Sequence, residues 1–417
     1  MLRPMNAPLT DDPDYELFYR QRLANPYPLL ARLRDEDPVH FCAPMKTWLV
    51  TRYDDVYAGL RDTKRFSTNR DAMYNAPLRP ENRERAQPLI ENLGTWLLNV
   101  DPPDHTRLRR LVNLAFTPRF LQALVPRIES IVDRLVEQTA ACDEVDFIRS
   151  FSLPLPARVI CDMLGIPEAD QDRYCRCVEG LLPFSSAAGP GLNDALDEAR
   201  ANLDELHEFF EGLLNERRSD PRDDLLSALV HVEEEGDRLS RAELFGLCVF
   251  LFVAGHETTS GMIATGTLAL LSHSDQFEKL KANPDDVVDS AVEEIIRYDA
   301  SVTRGARLAL EDFELRGRHI RKGQTVIHLI HSANRDPRQF PEPDRFDITR
   351  HPNKHLGFGF GIHFCMGAPL ARLEGQIAFK AIARRLGDMT LNSDSFSYKP
   401  AMGIRSLEAL PVRINEP

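Results

Sequence analysis

The sequence predicts an α+β fold that is mainly helical and carries smaller β-sheets. Apolar stripes at helical spacing recur between residues 120 and 240. A capping box formed by Ser240 and Glu243 then opens a long, apolar helix. Runs of β-branched and aromatic residues bounded by turn residues predict short strands at 39–51 and 301–329. Together these observations define the predicted fold class.

The chain of 417 residues contains no linker rich in glycine, serine or charge. We therefore predict one domain over residues 1–417, with an N-terminal extension over about residues 1–20. Met1 to Tyr19 is polar and lacks an apolar stretch flanked by basic residues, which predicts neither a signal peptide nor a membrane anchor. The apolar stretch Leu244 to Ala254 is too short to cross a bilayer. We expect a cytoplasmic protein without membrane contact.

The composition excludes two classes of protein. Lysine and arginine number 51 against 64 acidic residues, so the net charge of −13 argues against nucleic acid as a general partner. The seven cysteines are odd in number and irregular in spacing, which predicts neither a disulfide framework nor a zinc module. A reducing compartment fits this cysteine usage.

The other elements follow from local signals in chain order. Val39 to Cys42 and Thr47 to Thr51 are typical of two strands joined by a turn. Asn69 to Gly94 carries prolines and charges without a sustained period, and predicts a long irregular loop. Asp104, just after two prolines, indicates a helix start. The loop Phe184 to Gly191 predicts a connector, since glycine, proline and serine dominate it.

Two helical segments carry charged or polar groups that have an ordinary explanation. His105 and Arg109 lie four residues apart, as on a solvated basic helix face. The run from Ala254 to Thr259 places an acid and hydroxyls in an otherwise apolar helix. A mid-helix threonine often bonds to the preceding turn and merely bends the helix. A functional polar site is the alternative, and the two explanations are compatible.

One cysteine lies in an unusual setting, Phe358-Gly359-Phe360-Gly361-Ile362-His363-Phe364-Cys365-Met366-Gly367, directly before a helix-forming run. Its glycines allow close backbone approach to a flat group, and its aromatic residues can wall a site. The helix N-terminus would stabilise a thiolate, which is a strong axial metal ligand. An inert buried thiol is the ordinary alternative. Zinc on Cys365 is disfavoured, because His363 is only two residues away and no further ligand pair has metal-site spacing.

This loop resembles the haem-binding loop of the cytochrome P-450 family, and the similarity extends from about residue 20 onward. The resemblance implies the soluble bacterial type of the family. It also implies a triangular-prism fold with haem b between the long central helix and the helix after Cys365. The expected activity is that of a monooxygenase, which inserts one oxygen atom of O2 into a C–H bond of a small, largely apolar substrate by hydroxylation or epoxidation.

The resemblance also assigns roles to individual residues. The metal ligand is Cys365, and Thr258 and Glu257 relay protons. The cofactor contacts are His105, Arg109, Arg307, His363, Phe358, Gly359 and Ala254. The pocket residues are Leu251, Ala254, Val302, Arg304 and Ile404, with the turn Met402 to Leu407. Glu294, Arg297 and Arg345 match a structural trio with a folding role, although a Glu-x-x-Arg pair on a helix is by default a solvated surface pair.

Electrons are expected from a separate ferredoxin or flavodoxin with its reductase. The sequence has no dinucleotide-binding fingerprint and no cysteine cluster for an iron–sulfur centre. The expected docking patch is Arg107, Arg110, Lys354 and His355, on a protein expected to be a monomer. Two alternatives stay open. One is a peroxide-driven peroxygenase of the same fold, and the other is a haem-binding sensor without turnover.

Overall fold

The computed structural model describes residues 24–75, 78–186, 191–234, 236–399 and 403–414. The predicted N-terminal extension, the middle of the predicted connector at 187–190 and Met402 of the pocket turn lie outside these residues.

Helices dominate the described chain. They are α1 (Tyr27–Glu36), α2 (Tyr53–Arg61), α3 (Asp71–Asn75), α4 (Arg83–Thr95), α5 (Asp104–Ala115), α6 (Pro118–Ala140), α7 (Pro154–Met163), α8 (Glu168–Glu179), α9 (Leu182–Ser186), α10 (Gly191–Asp194), α11 (Leu196–Ser219), α12 (Leu225–His231), α13 (Arg241–Ser272), α14 (Ser274–Ala282), α15 (Pro284–Tyr298), α16 (Ile330–Ala333) and α17 (Ala368–Arg385). Single tight helical turns lie at Ala43–Met45, Pro80–Asn82, Leu97–Asn99 and Gly361–His363, and a short, wider π-helix lies at Ile148–Ser152.

The strands are short. They are β1 (Val39–Cys42), β2 (Thr47–Val50), β3 (Phe66–Ser67), β4 (Glu144–Asp146), β5 (Glu233–Glu234), β6 (Asp237–Arg238), β7 (Arg304–Ala309), β8 (Phe313–Leu315), β9 (Arg318–Ile320), β10 (Thr325–Leu329), β11 (Thr390–Leu391) and β12 (Pro411–Arg413). The predicted α+β class is confirmed, as are the strand pair that begins at Val39 and the long helix after Ser240.

The chain forms two compact units. Unit 1 consists of Met1–Ser67, Ile128–Leu155 and Glu257–Pro417, and unit 2 of Thr68–Arg127 and Pro156–His256. The single domain predicted from the sequence stays a prediction.

Unit 1 is built on a five-stranded sheet with the strand order β1-β2-β10-β7-β3. Strand β10 runs parallel to β2 and antiparallel to β7. Buried aliphatic and aromatic side chains of this sheet and of α2 form one hydrophobic core cluster. Helix α2 lies very close to the sheet at Gly59, where an added Cβ would be 1.9 Å from Nε2 of His328. Only glycine fits there.

A polar cluster in unit 1 ties distant parts of the sequence together. Asp299 accepts hydrogen bonds from the hydroxyl of Tyr27 at 2.6 Å and from Nε of Arg405 at 2.5 Å. Arg405 also donates to the carbonyl oxygen of Ala24 at 2.9 Å. The guanidinium of Arg335 lies 4.0 Å from the ring centroid of Tyr27, a cation–π distance. The start of the described chain is therefore held by residues from its far end.

The described residues of unit 2 form helices and the antiparallel strand pair β5–β6. The predicted capping box is present, since the Ser240 N–H donates to Glu243 Oε2 at 2.7 Å and the Glu243 N–H to Ser240 Oγ at 3.2 Å. The irregular loop predicted for 69–94 is wrong over residues 71–75, which form α3, and over residues 83–94, which lie in α4 despite Pro88. The buried apolar stripe Ala86, Leu89, Ile90 and Leu93 sustains this helix.

The part of helix α13 up to His256 belongs to unit 2, and the part from Glu257 onward belongs to unit 1. By length and composition alone the helix could cross a membrane, although 61% of its most apolar window is buried. The apolar window of α13 is therefore longer than the stretch Leu244 to Ala254 identified in the sequence. A core helix of a soluble protein passes the same test.

Candidate active site

The loop before α17 is closed on itself and rests on α2. The Cys365 N–H donates to the Phe358 carbonyl oxygen at 2.9 Å. Gly359 and Gly361 have φ angles of +69° and +76°, a region that side chains rarely adopt. A Cβ on Gly361 would lie 2.9 Å from the carbonyl oxygen of Leu60 in α2. Glycine is thus required for both the turn and the close packing.

Cys365 is exposed and lies just before the first turn of α17. Its carbonyl accepts a hydrogen bond from the Ala368 N–H at 3.3 Å. The helix dipole at this end favours a thiolate over a thiol. Ile362 and Phe364 beside it are unusually exposed for large apolar side chains, at 36% and 38%. A soft anionic donor bordered by exposed apolar side chains fits a flat apolar group that carries a metal.

Several residues in the middle of α13 are not fully buried, and three of those expected at the site lie on one face of the helix. Leu251, Ala254 and Thr258 share this face by their spacing. Ala254 is exposed and the other two are half-buried, whereas Phe252 and Thr259 are buried. The accessible face carries small and apolar groups with one hydroxyl.

Glu257, directly before Thr258 on α13, adds a carboxyl group to this part of the helix. Burial raises the pKa of its carboxyl, and the charge of Lys399 partly opposes this rise. The Lys399 Nζ lies 3.9 Å from Glu257 Oε1 within unit 1. A carboxyl with a raised pKa holds its proton closer to neutral pH, as a proton donor requires.

The residues expected at the propionates lie in both units. In unit 1, Arg307 is buried on β7 and donates to the Ala306 carbonyl oxygen at 2.9 Å, and His363 is half-buried. In unit 2, His105 is buried on α5, one turn before the half-buried Arg109. Burial and then the charge of Arg109 lower the pKa of His105, which favours a neutral imidazole.

Three of the expected pocket residues come together in unit 1. Val302 and Ile404 form an antiparallel bridge. The Thr303 N–H donates to the Gly403 carbonyl oxygen at 3.0 Å, and a Cβ on Gly403 would lie 3.7 Å from Nε of the half-buried Arg304. This corner is therefore mainly apolar with one cation near it.

The expected structural trio is partly wrong. Glu294 and Arg297 are fully buried and joined by Nε–Oε2 and Nη2–Oε1 hydrogen bonds of 2.7 and 2.8 Å. The Arg345 side chain instead points to an exposed pair with Glu342, and only its carbonyl oxygen contacts Arg297, at 3.2 Å. Arg350 takes the third place, since its Nε donates to Glu294 Oε1 at 3.2 Å.

The expected electron-donor patch also needs correction. Arg107 is ion-paired with Glu243 and, at 3.3 Å, with Asp237, so nearby acids compensate its charge. Arg110 lies 3.9 Å from Asp237. The His355 side chain is only 3% exposed and cannot meet a partner, whereas Lys354 is exposed. The spacing of charges in the sequence did not reveal these acidic neighbours.

Within the described ranges, no group of three or more histidine, cysteine or acidic side chains forms a metal site. The zinc alternative gains no support from this part of the chain. Sequence reasoning missed Arg350, and it also missed Glu293, which contacts residues on both sides of the Cys365 loop.

Comparison with known proteins identifies the class. The sequence profile described as Cytochrome P450 matches residues 169–387. The polyketide biosynthesis cytochrome P450 PksS of Bacillus subtilis is 40% identical over 401 residues, covering 94% of this chain and 96% of the relative. The vitamin D(3) 25-hydroxylase of Pseudonocardia autotrophica is 38% identical and covers 97% of both chains. The cytochrome P450 monooxygenase PikC of Streptomyces venezuelae is 40% identical, covering 94% of this chain and 91% of the relative.

Solved structures of cytochrome P450 proteins are similar to this chain as well. The structure of Bacillus subtilis PksS gives a TM-score of 0.86 at 38% identity and covers 98% of this chain and 100% of that chain. P450BioI in complex with an acyl carrier protein that bears hexadec-9Z-enoic acid gives 0.85 at 35% identity, covering 95% of this chain and 99% of that one. An α+β chain with an accessible cysteine before a helix is thereby placed among haem-thiolate enzymes.

This chain belongs to the cytochrome P450 family and is a monooxygenase of the bacterial type. Its cofactor is iron protoporphyrin IX, which the family binds through a cysteine thiolate. The predicted family, enzyme class and cofactor are confirmed.

Proposed function

We propose that Cys365 is the thiolate ligand of the haem and that the protein oxygenates a C–H bond of a small, largely apolar molecule. The observation that carries this assignment is the exposed Cys365 thiol at the start of α17, in a family that binds haem through cysteine. When bound, the haem supplies oxygen activation and oxygen-atom transfer. The chain supplies binding, orientation and protons.

His105, Arg109, Arg307 and His363 donate to the two propionates and so fix the haem orientation. Phe358 and Gly359 of the Cys365 loop and Ala254 of α13 are the remaining haem contacts of this proposal. Glu257 is the proton donor of the relay, and the Thr258 hydroxyl passes the proton onward. Support for this relay comes from the raised pKa of Glu257 and from the accessible face that carries Thr258.

The assignment of Cys365 is tested with the carbon monoxide complex of the reduced holoenzyme. A red-shifted Soret band of thiolate-bound iron is expected for wild type. The band should be absent in Cys365→Ala and unchanged in Cys142→Ala, which removes another exposed thiol. Retention of the band in Cys365→Ala would refute the assignment.

The substrate is an apolar compound that contacts Leu251, Ala254, Val302 and Ile404, with Arg304 available for a polar or anionic group. The names of the relatives mention polyketide biosynthesis and vitamin D(3), and one similar structure contains an acyl carrier protein. Spectral titration should therefore include macrolides, steroids and secosteroids, free fatty acids and acyl chains on a carrier protein. Binding by Arg304→Ala compared with wild type shows whether an anionic group is recognised.

Electrons come from a ferredoxin or flavodoxin and its reductase, in the cytoplasm, to a monomeric enzyme. Turnover with a surrogate ferredoxin and reductase is the test, with hydroxylated product measured against reductant consumed. The family favours this enzyme over the sensor without turnover. A peroxygenase is distinguished because hydrogen peroxide alone would then support full turnover, also in Thr258→Ala.

A further inference from the structure

Glu293 of α15 joins the two sides of the Cys365 loop. Its carboxylate accepts hydrogen bonds from Nε of Arg372 at 2.6 Å and from Nη2 of Arg372 at 3.0 Å. Arg372 lies in the second turn of α17, just after the loop. The Nε2 atom of His355, just before the loop, is 3.1 Å from Glu293 Oε2. One carboxylate therefore holds residues that precede and follow the cysteine.

The hydrogen-bond pattern shows which ring nitrogen of His355 carries the hydrogen. The Gly357 N–H donates to His355 Nδ1 at 3.1 Å, so Nδ1 carries no hydrogen. The ring hydrogen is therefore on Nε2 and is donated to Glu293. This hydrogen bond holds His355 and, through Gly357, the backbone that enters Phe358.

Both partners of Glu293 contact Phe358. The Arg372 guanidinium carbon lies 4.5 Å from the Phe358 ring centroid, and the His355 ring centroid lies 5.9 Å from it. The Phe358 carbonyl oxygen accepts the Cys365 N–H at 2.9 Å. Glu293 is thus connected to the cysteine backbone through Arg372 and His355 and then Phe358.

The network is polar and partly shielded from solvent. The side chain of Glu293 is 28% exposed and that of Arg372 is 33% exposed. Burial alone would raise the pKa of Glu293, but hydrogen bonds from His355 and Arg372 outweigh it and lower the pKa to about 2. The carboxylate is therefore charged at every working pH.

We propose that Glu293 is a positioning residue for the Cys365 loop, acting through Arg372 and His355 on Phe358. This inference rests on the proposed function, in which Cys365 is the haem ligand. It differs from the folding role of the neighbouring Glu294, because Glu293 contacts His355 and Arg372, the residues that flank the loop. Glu294 instead contacts Arg297 and Arg350.

Two variants test the proposal in the holoenzyme. Glu293→Gln keeps the size of the side chain and removes its charge. Arg372→Lys keeps the charge but loses the two-pronged hydrogen bond and the planar contact with Phe358. The matched control is Asp285→Asn, which removes another acid that links α15 to α17, through Lys380 at 3.2 Å and through Arg384.

The main readout is the rate at which the reduced carbonyl complex loses its thiolate-type Soret band in mild denaturant. We expect both variants to lose the band about tenfold faster than wild type, the factor for one charge-assisted hydrogen bond. Asp285→Asn should behave as wild type. Haem content and the thermal midpoint report on general folding, and Arg372→Lys keeps the test valid if Glu293→Gln folds poorly.

A second readout is the haem reduction potential. Glu293→Gln should raise it, because removing a negative charge favours the state with one more electron. Equal band stability and potential in wild type and both variants would overturn the positioning role. A wild-type holoenzyme without the thiolate-type band would refute the proposed function itself, so the two failures are distinguishable.

Discussion

Replacing Arg297 by alanine is expected to destabilise the protein by about 3–5 kcal/mol, because the buried Glu294 carboxylate loses its main partner. Both side chains have 0% exposure, and two hydrogen bonds of 2.7 and 2.8 Å join them. Arg297 also donates to the carbonyl oxygens of Asn334 at 3.0 Å and Pro343 at 2.8 Å, which would lose this donor.

Replacing either of two further arginines by alanine should destabilise the protein less than Arg297→Ala does. Arg350 is 11% exposed and donates to Glu294 at 3.2 Å, so Arg350→Ala should cost about 1.5–3 kcal/mol, the value of a charged hydrogen bond. The Arg345 side chain is 55% exposed and pairs with a carboxylate that is 72% exposed. Arg345→Ala should therefore cost less than about 1 kcal/mol.

The assay is urea unfolding of the holoenzyme followed by circular dichroism, with haem content measured for each variant. The expected order of destabilisation is Arg297→Ala, then Arg350→Ala, then Arg345→Ala. If Arg345→Ala were as damaging as Arg297→Ala, the side-chain assignment around Glu294 would be wrong. A small loss of stability in Arg297→Ala would contradict the predicted cost. It would show that the Glu294 carboxylate becomes hydrated or protonated once Arg297 is removed.

Three other changes test the site and the fold. In Thr258→Ala, product per reductant should fall about tenfold or more with release of hydrogen peroxide, because proton delivery is impaired. Gly59→Ala should cost about 1–3 kcal/mol or more in the free energy of unfolding, because the new Cβ would lie 1.9 Å from the buried His328 ring. Burial raises the pKa of Glu374 from 4.5 to about 8. Between these values only the folded state holds the proton, so stability should fall by up to about 1.4 kcal/mol per pH unit as pH rises, and Glu374→Gln should flatten this fall.

The first two of these changes each have a control within the chain. Thr267→Ala alters a buried hydroxyl on the same helix and should leave coupling intact. Gly212→Ala, in α11 with nothing within 4 Å of the added Cβ, should be neutral or stabilising. Unaltered coupling in Thr258→Ala, a harmless Gly59→Ala, or an equal pH slope in Glu374→Gln would each contradict the corresponding reasoning.

Local patterns predicted the elements whose signals lie within a few residues. The capping box at Ser240 and the strands from Val39 are set by neighbouring side chains, so the sequence sufficed. Helix α4 was not predicted because Pro88 is a helix-breaking signal in the sequence. The burial of the stripe from Ala86 to Leu93, which stabilises the helix, depends on its packing. A proline breaks a helix only when the packing of the rest does not compensate.

Partners that are distant in the sequence were harder to predict. A Glu-x-x-Arg pair indicates its own contact, but it does not say whether Arg345 or Arg350 reaches Glu294 from a loop about fifty residues away. Likewise, the basic run at Arg107 gave no sign of Asp237 and Glu243, more than a hundred residues on. The ligand loop itself was predictable because all its special backbone and donor requirements fall within ten consecutive residues.

The cluster around Asp299 has a consequence for how the protein is made. Arg405 donates to Ala24 across a sequence separation of 381 residues. A ribosome builds the chain from its N-terminal side, so Tyr27 and the strands after it emerge long before the arginine that secures them. The contacts of Arg405 with Asp299 and Ala24 can therefore form only after residue 405 has been synthesised, long after the segments that they join.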